Sequence, residues 1–133
     1  MRISAISLVV CAFGAFGTAA AADDMDPGQS VFNQYCATCH GAAADGKGPL
    51  TEMMTTTVPD LTGLAARNDG EFPMLQVIHI VDGRTGLRAH GGPMPVYGAL
   101  FDAEAEAGPY GGPLYTRGKI LSLAYYLESI QQK

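Results

Sequence analysis

Cys36-Ala37-Thr38-Cys39-His40 places two thiols with two residues between them and an imidazole directly after the second. A C-x-x-C-H run suits a haem c: each thiol can form a thioether to a haem vinyl group, and the adjacent imidazole can bind the iron. The same thiols would also serve a redox dithiol or half of a zinc site. Zinc wants four ligands, and the sequence holds no second cysteine pair. A thioredoxin-like site needs a strand before the motif and alternating strands and helices after it, and that pattern is not visible. The pentapeptide therefore points to a covalent haem, with Cys36 and Cys39 as thioether anchors and His40 as the proximal axial ligand.

An iron held by His40 needs a sixth ligand from its other face, and His90-Gly91-Gly92-Pro93-Met94-Pro95 offers two. A thioether in a proline-braced, glycine-rich loop can be held near the iron with little helix to obstruct it. Methionine is usually apolar filler. Met1 and Met25 lie in or beside an apolar leader, Met53 and Met54 follow closely on the His40 loop, and Met74 begins a helix. Met94 is the distal-ligand candidate and His90 its main rival. His79 lies inside a helical stretch, where a lone histidine is more often surface or satisfied core. Arg84 and Arg88, just before the loop, are candidates to pair haem propionates, because guanidinium suits carboxylates in partly buried sites.

From about Asp26 to Gln131 the chain resembles a small monohaem class I c-type cytochrome. The resemblance rests on the pentapeptide together with Gly28 and Phe32 before it, Gly48-Pro49-Leu50 after it, Met94-Pro95, and Leu123, Tyr126 and Leu127 near the C-terminus. It implies an all-α fold, with short helices and loops wrapped around one covalently attached haem and the N- and C-terminal helices crossing. It also implies that the backbone carbonyl of Pro49 accepts the second ring N–H of His40, which would orient the imidazole and raise its basicity.

The elements that must position these residues begin at Asp26-Pro27-Gly28-Gln29, which reads as a helix start with Asp26 capping and Pro27 at the first helical position. Val31, Phe32, Tyr35, Cys36 and Cys39 then follow helical spacing. Gly28 costs a helix up to about 1 kcal/mol relative to alanine; a frayed first turn would account for it, and the resemblance implies instead a close crossing by the closing helix. Residues 41–59 read as loop, and 60–67 as a short helix with Leu61, Leu64 and Ala65 inward, ended by Asn68-Asp69-Gly70. Phe72-Pro73 opens a helix to about Asp82, with Leu75, Ile78 and Val81 as its stripe, Val77 beside them, and Gly83 as its stop. Residues 97–115 read as a long glycine-rich loop carrying Asp102, Glu104 and Glu106, either solvated or a partner contact. Residues 116–131 read as the closing helix, with Ile120, Leu123, Ala124, Leu127 and Ile130 on one face.

Residues 1–22 read as a signal peptide: Arg2, an apolar core from Ile3 to about Gly17, and Ala20-Ala21-Ala22 before a cleavage after Ala22. Cys11 is apolar filler within it. The stretch is also about the 20 residues an uncleaved membrane anchor needs. Residues 23–133, about 111 in number, make one small domain. The formal charge of the whole chain is −5. Removing Arg2 leaves seven Lys or Arg against thirteen Asp or Glu, a formal −6. Such acidity argues against nucleic acid or anionic lipid as partners and fits a redox protein with a basic docking surface. Membrane contact is expected only if the leader stays, and no small-molecule substrate is expected. The sequence thus reads as a periplasmic electron carrier with one haem c. Its alternatives are a dedicated cytochrome subunit of a periplasmic redox enzyme, or a haem enzyme or sensor if the sixth position is labile.

Overall fold

The computed structural model describes residues 25–84, 92–108 and 112–132. Asp26 begins the first helix as its position predicts, its Oδ1 accepting the Gln29 N–H at 3.0 Å. Pro27 follows at the first helical position of α1 (Pro27–Tyr35), where its missing N–H costs nothing. The chain breaks at Cys36 and resumes as α2 (Ala37–His40), then a 3-10 helix (Pro49–Met53), α3 (Met74–Asp82), α4 (Tyr97–Ala107) and α5 (Pro113–Ser129). The fold is all-α, with no strand among the described residues. None of the described helices is long and apolar enough to cross a membrane.

Helix α5 is the centre of the packing, touching α1, α3 and α4. Its Ile120, Leu123, Ala124 and Leu127 recur at helical spacing and are all buried. Val31 and Phe32 of α1, Val77 and Val81 of α3, and Phe101 of α4 complete the core around them. α1 and α5 cross at Gly28. A Cβ built there would strike the Ser122 carbonyl and lie 2.7 Å from the Tyr126 Cβ, so only glycine lets the two backbones approach this closely.

Three elements differ from their sequence reading. Residues 61–70 form successive turns, not a helix, although Ala65 is buried and Leu61 and Leu64 pack on the core. Two of their backbone groups bond to the far end of the chain: the Gln131 side chain donates to the Leu61 carbonyl at 2.8 Å and accepts the Ala65 N–H at 2.9 Å. Asp60 takes the Thr62 N–H and hydroxyl at 2.7 and 2.6 Å, which starts the first turn. Residues 97–107 are helical, not loop. Tyr97, Phe101 and Ala105 recur every four residues on the inward side, the alanines and glutamates between them favour helix, and the glycines sit in the first turn and after the end. In α3 the inward set is Met74, Val77, Ile78 and Val81, whereas Leu75 is 65% exposed.

Candidate functional site

The break at Cys36 places its side chain among core residues while α2 carries Cys39 and His40 onward. His40 ends α2 with its side chain buried. Gly41 then leaves the helix at φ +79, and a Cβ there would press within 2.6 Å of the Asp45 carboxylate. Glycine permits this turn, and the chain folds back over the motif. The Gly46 N–H donates to the His40 carbonyl at 2.8 Å and the Gly48 N–H to the Cys39 carbonyl at 3.0 Å. Buried Ala44 accepts the Leu61 N–H at 2.8 Å, which brings residues 58–61 alongside.

Nδ1 of His40 lies 3.2 Å from the Pro59 carbonyl. A carbonyl only accepts, so Nδ1 carries the hydrogen and Nε2 keeps its lone pair. This corrects the assignment of Pro49. Pro49 opens the 3-10 helix, and Gly48 before it is pressed against the main chain of Thr38 and Cys39, so that loop supports the motif's backbone instead of its imidazole. The local signal for Pro59 was the Asp60-Leu61-Thr62 turn, which holds the carbonyl just before it. Burial holds the His40 imidazole below its ordinary value and outweighs the opposing Pro59 hydrogen bond. Burial thus favours the neutral ring, whose Nε2 lone pair suits a metal ligand. Burial, and secondarily the neighbouring Cys39, pushes the Cys36 thiol up to about 12.

Cys36, Cys39, His40 and Met94 line one cavity of about 330 Å³. Its other walls include Leu61, Leu64, Val77, Val81, Leu123 and Leu127, together with Tyr35 and Tyr97. One imidazole nitrogen, one thioether and two thiols in an apolar space fit a large apolar group that carries its own metal. They do not fit a bare ion: among the described residues no group of three or more His, Cys, Asp or Glu side chains, Cys36, Cys39 and His40 included, is arranged to hold one.

Arg84 is exposed, ion-pairs with Asp82 at the end of α3, and does not line the cavity. Arg88, His90 and the leader 1–22 lie outside the described residues. His79, within α3, does not line the cavity either. The structure adds a cluster that the sequence reading missed. The Tyr35 hydroxyl donates to Glu104 Oε1 at 2.7 Å, and Lys119 Nζ donates to Glu104 Oε2 at 2.6 Å and to the Tyr35 hydroxyl at 3.0 Å. Lys119 Nζ also lies 4.4 Å from the ring centres of both Tyr35 and Phe101. Hydrogen bonds from Lys119 and Tyr35 hold the Glu104 carboxyl below its usual range. Burial pulls Lys119 downward, but its bonds to Glu104 and Tyr35 outweigh this and raise it. Reading residues 97–107 as a helix would have placed Glu104 one turn beyond Phe101 on the inward side.

A family model described as cytochrome C oxidase, cbb3-type, subunit III matches residues 23–107, a stretch that includes the C-x-x-C-H motif, Pro59, Met94 and α4. No curated protein and no solved structure matches the chain. With an all-α fold, a thiol, imidazole and thioether set around one apolar cavity, and this match over most of its length, the chain belongs to the family of cytochrome C oxidase, cbb3-type, subunit III, and is a c-type cytochrome whose role is haem-based electron transfer.

Proposed function

We propose that this protein is a periplasmic single-electron carrier built on one covalently attached, His/Met-ligated haem c. The observation that carries the reading is that Cys36, Cys39, His40 and Met94 all line one apolar cavity. Cys36 and Cys39 anchor the group by thioethers. His40 presents Nε2 as the proximal ligand while Pro59 fixes the ring through Nδ1, the kind of outer contact that orients a ligand and raises its basicity. Met94 supplies the distal sulfur. A bound haem supplies a one-electron ferric/ferrous couple, and the protein contributes burial, ligand choice and a docking surface. The soft thioether of Met94 would favour the reduced state of a bound haem, and the aliphatic walls would give it an apolar surrounding. Residues 1–22 serve as the export signal, with cleavage after Ala22, and residues 23–133 form the cytochrome domain.

The test is Met94→Ala in haem-loaded protein. The variant retains its haem, because the thioethers and His40 are untouched. It loses the weak far-red ferric absorption of sulfur ligation, binds carbon monoxide readily when ferrous, and has a lower potential than the parent. A Met94→Ala protein with the parent's spectrum and potential would place the ligand elsewhere, and His90→Ala is then the next variant to make. The description of the matched family favours a second reading, in which the same electron-transfer domain is a resident subunit of an oxidase complex. Recovery in a large membrane-bound assembly, instead of the free periplasmic fraction, selects that reading.

A further inference from the structure

Residues 92–96 lead Met94 into α4, and the start of α4 is held at three points. Val96 packs against Gly83, where an added Cβ would strike its methyl groups, and Gly98 lies against the backbone of Asp82. Both of these contacts go to the end of α3. The third goes to the other side of the site: the Tyr97 hydroxyl donates to the main-chain carbonyl of Tyr35 at 2.8 Å. Tyr35 is the last residue of α1 and directly precedes Cys36. The break at Cys36 turns the Cys39 N–H to the Cys36 carbonyl, at 3.1 Å, and the Tyr35 carbonyl takes Tyr97 as its donor.

Tyr97 follows Met94 by three residues and Tyr35 precedes Cys36 by one, so this bond joins the two segments that bring thioether and thiols to the cavity. Both rings line that cavity. They meet edge-on with centroids 6.1 Å apart, and Phe101 braces them at 5.1 Å from Tyr35 and 5.8 Å from Tyr97. Glu104 and Lys119 hold the far end of Tyr35. Tyr35, whose carbonyl is the acceptor, is thus also held through its side chain by Phe101, Glu104 and Lys119.

We propose that Tyr97 is a positioning residue for the haem site: its hydrogen bond to the Tyr35 carbonyl locks the Met94 segment to the attachment segment, so that the Met94 sulfur does not give way to competing ligands. The inference rests on the assignment of Met94 as distal ligand made above. A segment that opens more often exposes the sixth position more often, and the apparent affinity for an added ligand rises with that open fraction.

The experiment is an imidazole titration of the ferric holoprotein, parent against Tyr97→Phe. The substitution keeps the ring and its packing and removes the hydrogen bond alone. The apparent Kd for imidazole is expected to fall about two- to tenfold, the factor that a typical net hydrogen bond represents. Ile120→Val, a core change on α5 that does not line the cavity, serves as a variant of comparable destabilisation and is expected to leave the Kd unchanged. An unchanged Kd in Tyr97→Phe, or an equal fall in Ile120→Val, overturns the clamp. Met94→Ala separates this from the underlying assignment. Tight imidazole binding by Met94→Ala beside an unaltered Tyr97→Phe discards the clamp and keeps the ligand, whereas parent-like binding by Met94→Ala discards the ligand itself.

Discussion

Glu104 is an acid whose charge is spent inside the molecule. Its carboxylate accepts from Lys119 and Tyr35, and these hydrogen bonds lower its pKa in the folded state. A carboxyl with a lowered folded pKa stabilises the fold fully above its ordinary value near 4.5 and loses that contribution as pH falls through the lowered one. Glu104→Gln is therefore expected to be less stable than the parent near neutrality, and the gap should close in acid. About a third of the Glu104 side chain is exposed, so solvent screening keeps the neutral-pH difference to roughly 0.5–1 kcal/mol. Thermal unfolding of both proteins across the acid range checks this; a gap of constant size would show that the ion pair is not what stabilises.

Between elements, the crossing of α1 and α5 is the contact with least tolerance. Gly28→Val would drive a side chain into the Ser122 carbonyl, which cannot rotate aside, and is expected to cost about 1–3 kcal/mol. Gly118, on the same helix as Ser122, gives the opposite expectation. A Cβ there meets nothing, so Gly118→Ala should stabilise by about 0.5–1 kcal/mol through helix propensity alone. Chemical denaturation of the two variants decides whether close approach, and not a general preference for small residues, sets these positions. The α4 segment shows the same distinction: its glycines flank a helix whose inward residues are Tyr97, Phe101 and Ala105.

At the scale of the whole molecule the chain is acidic, at a formal −5. With Glu104 occupied by Lys119, the exposed acids on α4 are Asp102 and Glu106. If its redox partner presents a basic surface, electron exchange should slow as ionic strength rises, since at about 0.15 M salt the Debye length is only about 8 Å. Stopped-flow rates with the partner at several salt concentrations measure this. Rates that stay flat or climb with salt would exclude a basic target.

The C-x-x-C-H motif, the Asp26-Pro27 helix start, the Gly28 crossing and the inward stripe of α5 are legible in the sequence because each is a short local signal or a regular helical period. Met94 is legible as a residue of the same cavity from its loop context and family pattern. The acceptor for His40 is not, because Pro59 and Pro49 both lie in the loop region after the motif, and only the folded path brings the Pro59 carbonyl across 19 residues to Nδ1. The same holds for the turns at 61–70, whose backbone partner Gln131 lies 66 residues beyond Ala65, and for Tyr97, 62 residues from the carbonyl it bonds. Periodicity gives the inward face of α5, but not fully that of α3, where Leu75 of the expected stripe is 65% exposed. Which polar group meets which across that interior is decided by the packing of α5 on α1, α3 and α4, since a hydrogen bond depends on distances that sequence separation does not encode.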